Sequence, residues 1–174
     1  MKKHALFTLM AVFVFTGIAY AAPVVGGEKI GYVDLPRIFD EYQKTKIFDK
    51  ALEGKAAGKQ GDRDKLVNEI KKLRDEAELL GAKAKDEKQA VIDEKIKALQ
   101  DFDRNSRDSL RKERDGMVRD ILKEIETTIQ TYGKAQGYSY IFNGSVLVYK
   151  TEGNDLTNQV IKVLNDSYIN AKKI

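Results

Sequence analysis

The spacing of apolar residues changes along the chain, and each change predicts a different element. Ala5 to Ile18 is an uncharged, mostly apolar run of 14 residues behind Lys2 and Lys3, and Ala19-Tyr20-Ala21 follows it. A basic start, a short apolar run and an Ala-x-Ala site predict an export signal over residues 1–21, cleaved after Ala21. The run falls short of the roughly 20 residues a membrane-spanning helix needs, so removal is favoured over anchoring. Lys29 to Val33 then reads as a short strand, and Asp34 caps a helical turn with Pro36 near its start, where a missing N–H is tolerated. Leu35, Ile38, Phe39 and Tyr42 follow at i, i+3, i+4 and i+7, one stripe that must lie against a core.

From Gln43 to Gly137 the pattern becomes that of long helices. Leu66, Ile70, Leu73, Ala77 and Leu80 recur in steps of four and three, as do Ile92, Ile96 and Leu99, which is the seam of a coiled coil. Gly81-Ala82-Lys83-Ala84-Lys85 interrupts that seam, so the expected tip of an antiparallel helical hairpin lies at about 81–88, with Leu73 facing the neighbourhood of Ile96. Arms of about 38 and 48 residues would reach roughly 57 and 70 Å, longer than any small core, and must project into solvent. Continuing the seam reaches Arg63 and Lys59 on one arm and Asp103, Ser106 and Glu113 on the other, so mid-arm burial is expected to be partial. Gly54, Gly58 and Gly61 come opposite the stretch holding Gly116 in this register. Each costs a helix about 0.8–1 kcal/mol relative to alanine, which leaves two readings open: a bend or soft section near the arm's base, or else close backbone packing or simple neutral drift.

After Gly137 the charged helical pattern stops. Tyr138 to Phe142 and Ser145 to Tyr149 are β-rich runs flanking Asn143-Gly144, the dipeptide that predicts a hairpin with a type I′ turn. Thr157 is placed to cap a last helix carrying Val160, Ile161, Leu164 and Tyr168, with Leu156 stapled onto Ile161. The expected fold is therefore mainly α with a small β body. Residues 22–42 and 138–174 form a β-rich oligomerisation body with short helices, and 43–137 form the coiled-coil hairpin arm. Three short strands and two short helices bury too little to hold such arms alone. Pairing of edge strands between copies would cover Ile30, Tyr32, Ile141, Phe142, Val146 and Val148 and form an oligomer interface.

Composition narrows the chemistry. The 174 residues include no cysteine and one histidine, His4, which leaves with the signal. Thiolate metal sites, cysteine nucleophiles and imidazole clusters are excluded. Segment 43–137 holds 43 charged residues in 95, yet the signs are nearly balanced, and the formal charge falls from +4 to +2 once Lys2 and Lys3 are removed. That balance argues against nucleic acid. No phosphate-binding glycine loop is present, so no nucleotide or other cofactor is expected, and no metal. Asp101 with Asp103 and Asp93 with Glu94 are carboxylate pairs on solvated helix faces rather than catalytic pairs, so the chain is read as a non-enzyme.

Ile30-Gly31-Tyr32-Val33-Asp34-Leu35-Pro36-Arg37-Ile38-Phe39, the charged hairpin, the stretch Tyr140-Ile141-Phe142-Asn143 to Val148, and Asp155-Leu156-Thr157 with Val160-Ile161 and Leu164-Asn165 together resemble the Skp/OmpH family of periplasmic chaperones, over essentially the whole exported chain. The resemblance implies a homotrimer whose helical arms surround a cavity. It also implies clients: unfolded outer-membrane β-barrel proteins, held without ATP and kept from aggregating. On that reading Val67, Leu79, Val91, Phe102 and Leu110, which fall off the seam, are candidate client contacts. Lys83, Lys85 and Lys88 are candidate arm-tip contacts to anionic lipid or lipopolysaccharide, although Asp86 and Glu87 interrupt them. The alternative is a structural coiled-coil spacer or adaptor of the cell envelope.

Overall fold

The computed structural model describes residues 27–172, and the expected export signal lies outside the described residues. The chain runs β1 (Ile30–Val33), α1 (Leu35–Glu41), α2 (Gln43–Glu78), α3 (Ala82–Gln136), β2 (Tyr140–Asn143) and α4 (Thr157–Ala171), with 3-10 turns at Gly144–Val146 and Glu152–Asn154. Asp34 caps α1 as expected, its carboxylate accepting from the Arg37 N–H at 3.1 Å. The helix stops at Glu41 because Tyr42 is extended, with φ −68° and ψ 124°. A new helix begins at once, and its first N–H, that of Gln43, donates to Asn165 Oδ1 on α4 at 2.8 Å. One residue therefore turns the chain from body to arm.

Tyr42 is fully buried and meets the Tyr168 ring edge-on, with centroids 5.9 Å apart. Its hydroxyl donates to Glu124 Oε1 at 2.8 Å, and the Lys44 ammonium donates to Oε2 at 2.6 Å. Burial, reinforced by the bond to Glu124, pushes the Tyr42 phenol well above its ordinary value. The neutral phenol is favoured in the folded state, so its contribution is complete below about pH 10 and declines as pH rises beyond that. Tyr32, also buried, is shifted in the same direction by burial and by Asp155 and Glu152, so alkaline titration followed by tyrosinate absorbance is expected to find a late-ionising class of tyrosines that loses one member in Tyr42→Phe.

At 1.5 Å per residue, the 36 residues of α2 span about 54 Å and the 55 of α3 about 82 Å. The excess length of α3 runs back into the body. There Ile121 and Ile125 join Val33, Ile38, Tyr42, Leu156, Val160, Ile161 and Leu164 in the main core. Gly137 ends α3 in the left-handed region, φ 70°, with its N–H turned back to the last carbonyls. Leu156 and Ile161 both lie in the core, but Leu156 is the residue at the helix boundary rather than the one before the cap, so the expected staple register is shifted by one. The cap of α4 differs from expectation: Thr157 is its first residue, and the Asp155 carboxylate accepts from the Thr157 N–H at 2.9 Å. The Thr157 hydroxyl instead accepts from the Asp34 N–H at 2.9 Å, tying α4 to the end of β1.

The sheet corrects the expected hairpin. β1 and β2 pair in parallel, with Ile30 opposite Tyr140 and Val33 opposite Asn143, and the run after Asn143 is a 3-10 turn and loop rather than a strand. No positive φ occurs at Asn143 or Gly144. Asn143 instead accepts from the Ser145 N–H through its side chain at 3.1 Å. Gly144 is buried, and a Cβ there would stand 3.2 Å from the Tyr32 ring and 3.3 Å from the Val33 carbonyl oxygen. Close approach to β1, not turn geometry, requires that glycine. The body is accordingly two strands braced by helices.

The tip also moves. The chain turns at Leu79–Gly81, and α3 begins at Ala82, so the expected 81–88 break is largely the opening of a helix. The alanines, lysines and glutamate after Gly81 favour helix and Asp86 lies near its N-terminal end, where a negative charge is favoured, so only Gly81, extended at ψ 163°, breaks it.

Candidate functional site

The arm is held by two unlike sections. Toward the tip, Ile70, Ala77 and Ile92 form a second buried cluster, with Leu73, Ile96 and Leu99 packed against it. Leu73 thus shares one cluster with Ile96, as the seam predicts. Toward the base the seam is polar, and ion pairs take over. Arg63 Nε lies 3.1 Å from Asp103, Lys55 pairs with Glu113, and Lys44 pairs with Glu124 at 2.6 Å. Lys95–Glu69 at 2.7 Å and Lys88–Glu76 at 2.6 Å continue the series alongside the apolar cluster. All join α2 to α3. Such partly exposed pairs contribute about 0.2–1 kcal/mol each, so they set register more than they hold the helices together.

Where the polar seam cannot interdigitate, the helices leave a groove of about 430 Å³. Ala56, Lys59, Gln60 and Arg63 line one wall, and Phe102, Asp103, Ser106, Arg107 and Leu110 the other. Phe102 and Leu110 are half-buried, and the Lys59 ammonium sits 5.6 Å from the Phe102 ring centre. Two of the five candidate client contacts are therefore brought together. The other three stand apart on exposed surface: Val67 at 38%, Val91 at 42% and Leu79 at 88% exposure, the last in the tip turn itself. None of these three is absorbed into the seam.

The tip cations divide similarly. Lys83 and Lys85 are exposed in the first turn of α3, whereas Lys88 is half-buried and paired with Glu76. Of the candidate interface residues, Tyr32 is buried inside the chain at 4% exposure, and Ile141 packs toward Gly133. Ile30, Phe142, Val146 and Val148 remain exposed. Next to them lies an apolar cavity of about 480 Å³ that includes Leu35, Leu122, Ile129 and Phe142. Leu122 and Ile129, seven residues apart on α3, mark a second apolar stripe beside Ile121 and Ile125, a signal present in the spacing. The carboxylate pairs are engaged in ordinary ways: Asp93 accepts from Gln89, Asp101 from Arg104 and Asp103 from Arg63. Among the described residues no helix is long and apolar enough to cross a membrane.

The arm glycines lie in open space. A Cβ at Gly54, Gly58 or Gly61 would meet nothing within 4 Å, and at Gly116 only the end of Arg119. Close backbone packing is thus removed as their explanation. Replacing Gly54, Gly58 and Gly61 together by alanine is expected to stabilise the arm by about 0.5–1 kcal/mol per site, read as a higher melting temperature by circular dichroism. A lower one would contradict their placement.

A family model for outer membrane protein (OmpH-like) matches residues 29–164. The fold is similar to a crystal structure of an OmpH-like outer membrane chaperone candidate from Caulobacter crescentus CB15. The TM-score is 0.68 at 21% identity, covering 80% of this chain and 85% of that one. Among curated proteins no sequence match was found.

Proposed function

The chain belongs to the OmpH-like outer membrane protein family, and from that premise we propose that it is an ATP-independent holdase of the periplasm. It binds unfolded outer-membrane β-barrel proteins between helical arms and prevents their aggregation. The observation that carries this reading is the arm itself: about 54 Å of paired helix bearing scattered apolar side chains, Val67, Leu79 and Val91 exposed and Phe102 and Leu110 half-buried, without a deep pocket. A β-barrel precursor alternates apolar and polar residues and aggregates through its exposed strands. Many weak contacts restrain such a chain and still let it go, whereas one deep site would retain it.

A cavity needs more than one arm, and we assign the exposed Ile30, Phe142, Val146 and Val148, together with Leu122, to contacts between copies, three by family resemblance. Export would be directed by residues 1–21 and followed by cleavage after Ala21. Lys83 and Lys85 offer weak contact with anionic lipid, and no catalytic step is assigned. The deciding experiment is light scattering during dilution of a urea-unfolded β-barrel precursor, without nucleotide. Near-stoichiometric trimer is expected to suppress the signal. An envelope spacer would leave it unchanged, and that result overturns the proposal.

A further inference from the structure

We propose that the mid-arm groove selects acidic–aromatic stretches of an unfolded polypeptide, seating an aromatic side chain on Phe102 and Leu110 while a neighbouring carboxylate pairs with Lys59 and Arg107. The inference rests on the holdase reading and adds to it a preference that a merely non-stick arm would lack. Its lining holds three cations, Lys59, Arg63 and Arg107, against one carboxylate, Asp103. Asp103 is already committed, with Arg63 Nε at 3.1 and 3.3 Å from its two oxygens. Arg107 donates only to the Asp103 main-chain oxygen at 3.3 Å, and neither it nor Lys59 joins the ion pairs formed among the described residues. Two positive charges thus flank an apolar floor, and their complement is an anion carried next to an apolar group.

The floor decides what kind of anion. Phe102 and Leu110 are half-buried and Ser106 is buried between them in sequence, so a bare phosphate would leave the apolar wall unused. An aromatic ring covers it and places its own face within reach of Lys59, which already lies over Phe102. At about 430 Å³ the groove accepts a few side chains and not a folded unit. The other ion pairs across the arm, Lys55–Glu113 below and Lys95–Glu69 above, have no such surplus at their own contact.

The test uses the whole chain and three labelled unfolded peptides of equal length: phenylalanine flanked by aspartate, phenylalanine flanked by lysine, and serine flanked by aspartate. Fluorescence anisotropy is expected to rank the first about fivefold tighter than either other, the weight of one partly exposed ion pair or a comparable apolar contact. Arg107→Glu removes the preference for aspartate, Arg107→Lys keeps it, and Phe102→Ala removes the preference for phenylalanine. Arg107 is exposed and outside the seam, so its variants fold. Equal binding of the three peptides, or a ranking untouched by Arg107→Glu, overturns the inference. Displacement of the first peptide by phosphatidylglycerol vesicles but not by excess unlabelled peptide would also overturn it, in favour of a lipid surface. Light scattering on the β-barrel precursor separates this from the parent reading: suppression without peptide ranking sinks the subsite alone, and ranking without suppression sinks the holdase alone.

Discussion

Tyr42→Ala is expected to destabilise the body by about 3–5 kcal/mol, the range for deleting a large aromatic from a closed core, and to uncouple the arm from it. Tyr42 has no exposed surface and is the only residue between α1 and α2. Its ring packs against Tyr168 and its hydroxyl reaches Glu124 on α3, so one side chain contacts α4 and the returning arm helix together. Tyr42→Phe retains the ring and removes only the hydroxyl. It is expected to cost about 0.5–1.5 kcal/mol, since Glu124 keeps Lys44 as a partner. Urea unfolding followed by far-ultraviolet circular dichroism measures both. Near-equal losses in the two variants would mean that the ring contributes little and that the joint is only a hydrogen bond.

Much of this arrangement is legible in the residues, and the exceptions share a cause. The seam from Ile70 to Ala77 and from Ile92 to Leu99 repeats a local period, so helix and partner face can both be read from it. Stripe positions Ile38 and Tyr42 likewise proved to be core. The tip was displaced because a seam can stop without its helix stopping: the alanines and charged residues after Gly81 leave the seam but still favour helix. Asn143-Gly144 carries a strong local turn preference, and a contact distant in sequence overrode it, since β1 lies against Gly144. The parallel pairing of Ile30 with Tyr140 spans more than a hundred residues and has no local signature. The polar seam positions Arg63, Asp103 and Ser106 foretold a weak mid-arm section, whereas the groove they leave depends on how far the helices separate. For the same reason Phe102 and Leu110 could not be told from Val67 and Val91 by spacing alone.

Ile92→Asp is expected to melt the outer arm while the body survives. Ile92 is 1% exposed among Ile70 and Ala77, so the new carboxylate would be buried without a partner, at a cost of at least about 3 kcal/mol. Nothing else in that section can absorb the loss. Lys95–Glu69 and Lys88–Glu76 supply about 0.2–1 kcal/mol each, and the mid-arm section below is a groove rather than a core. The two apolar clusters have no residue in common, and the body cluster draws on Ile121 and Ile125, some thirty residues farther along α3. Hydrogen exchange should therefore lose protection from about Leu66 through Leu99 and keep it around Ile121, with circular dichroism losing only part of its helical signal. If the body lost protection in step with the tip, arm and body would be a single cooperative unit, and the polar mid-arm would not be the boundary proposed for it. Under the holdase reading the same variant keeps its assembly and loses most of its capacity to suppress aggregation, because Leu79, Val67 and Val91 all sit on the part that melts.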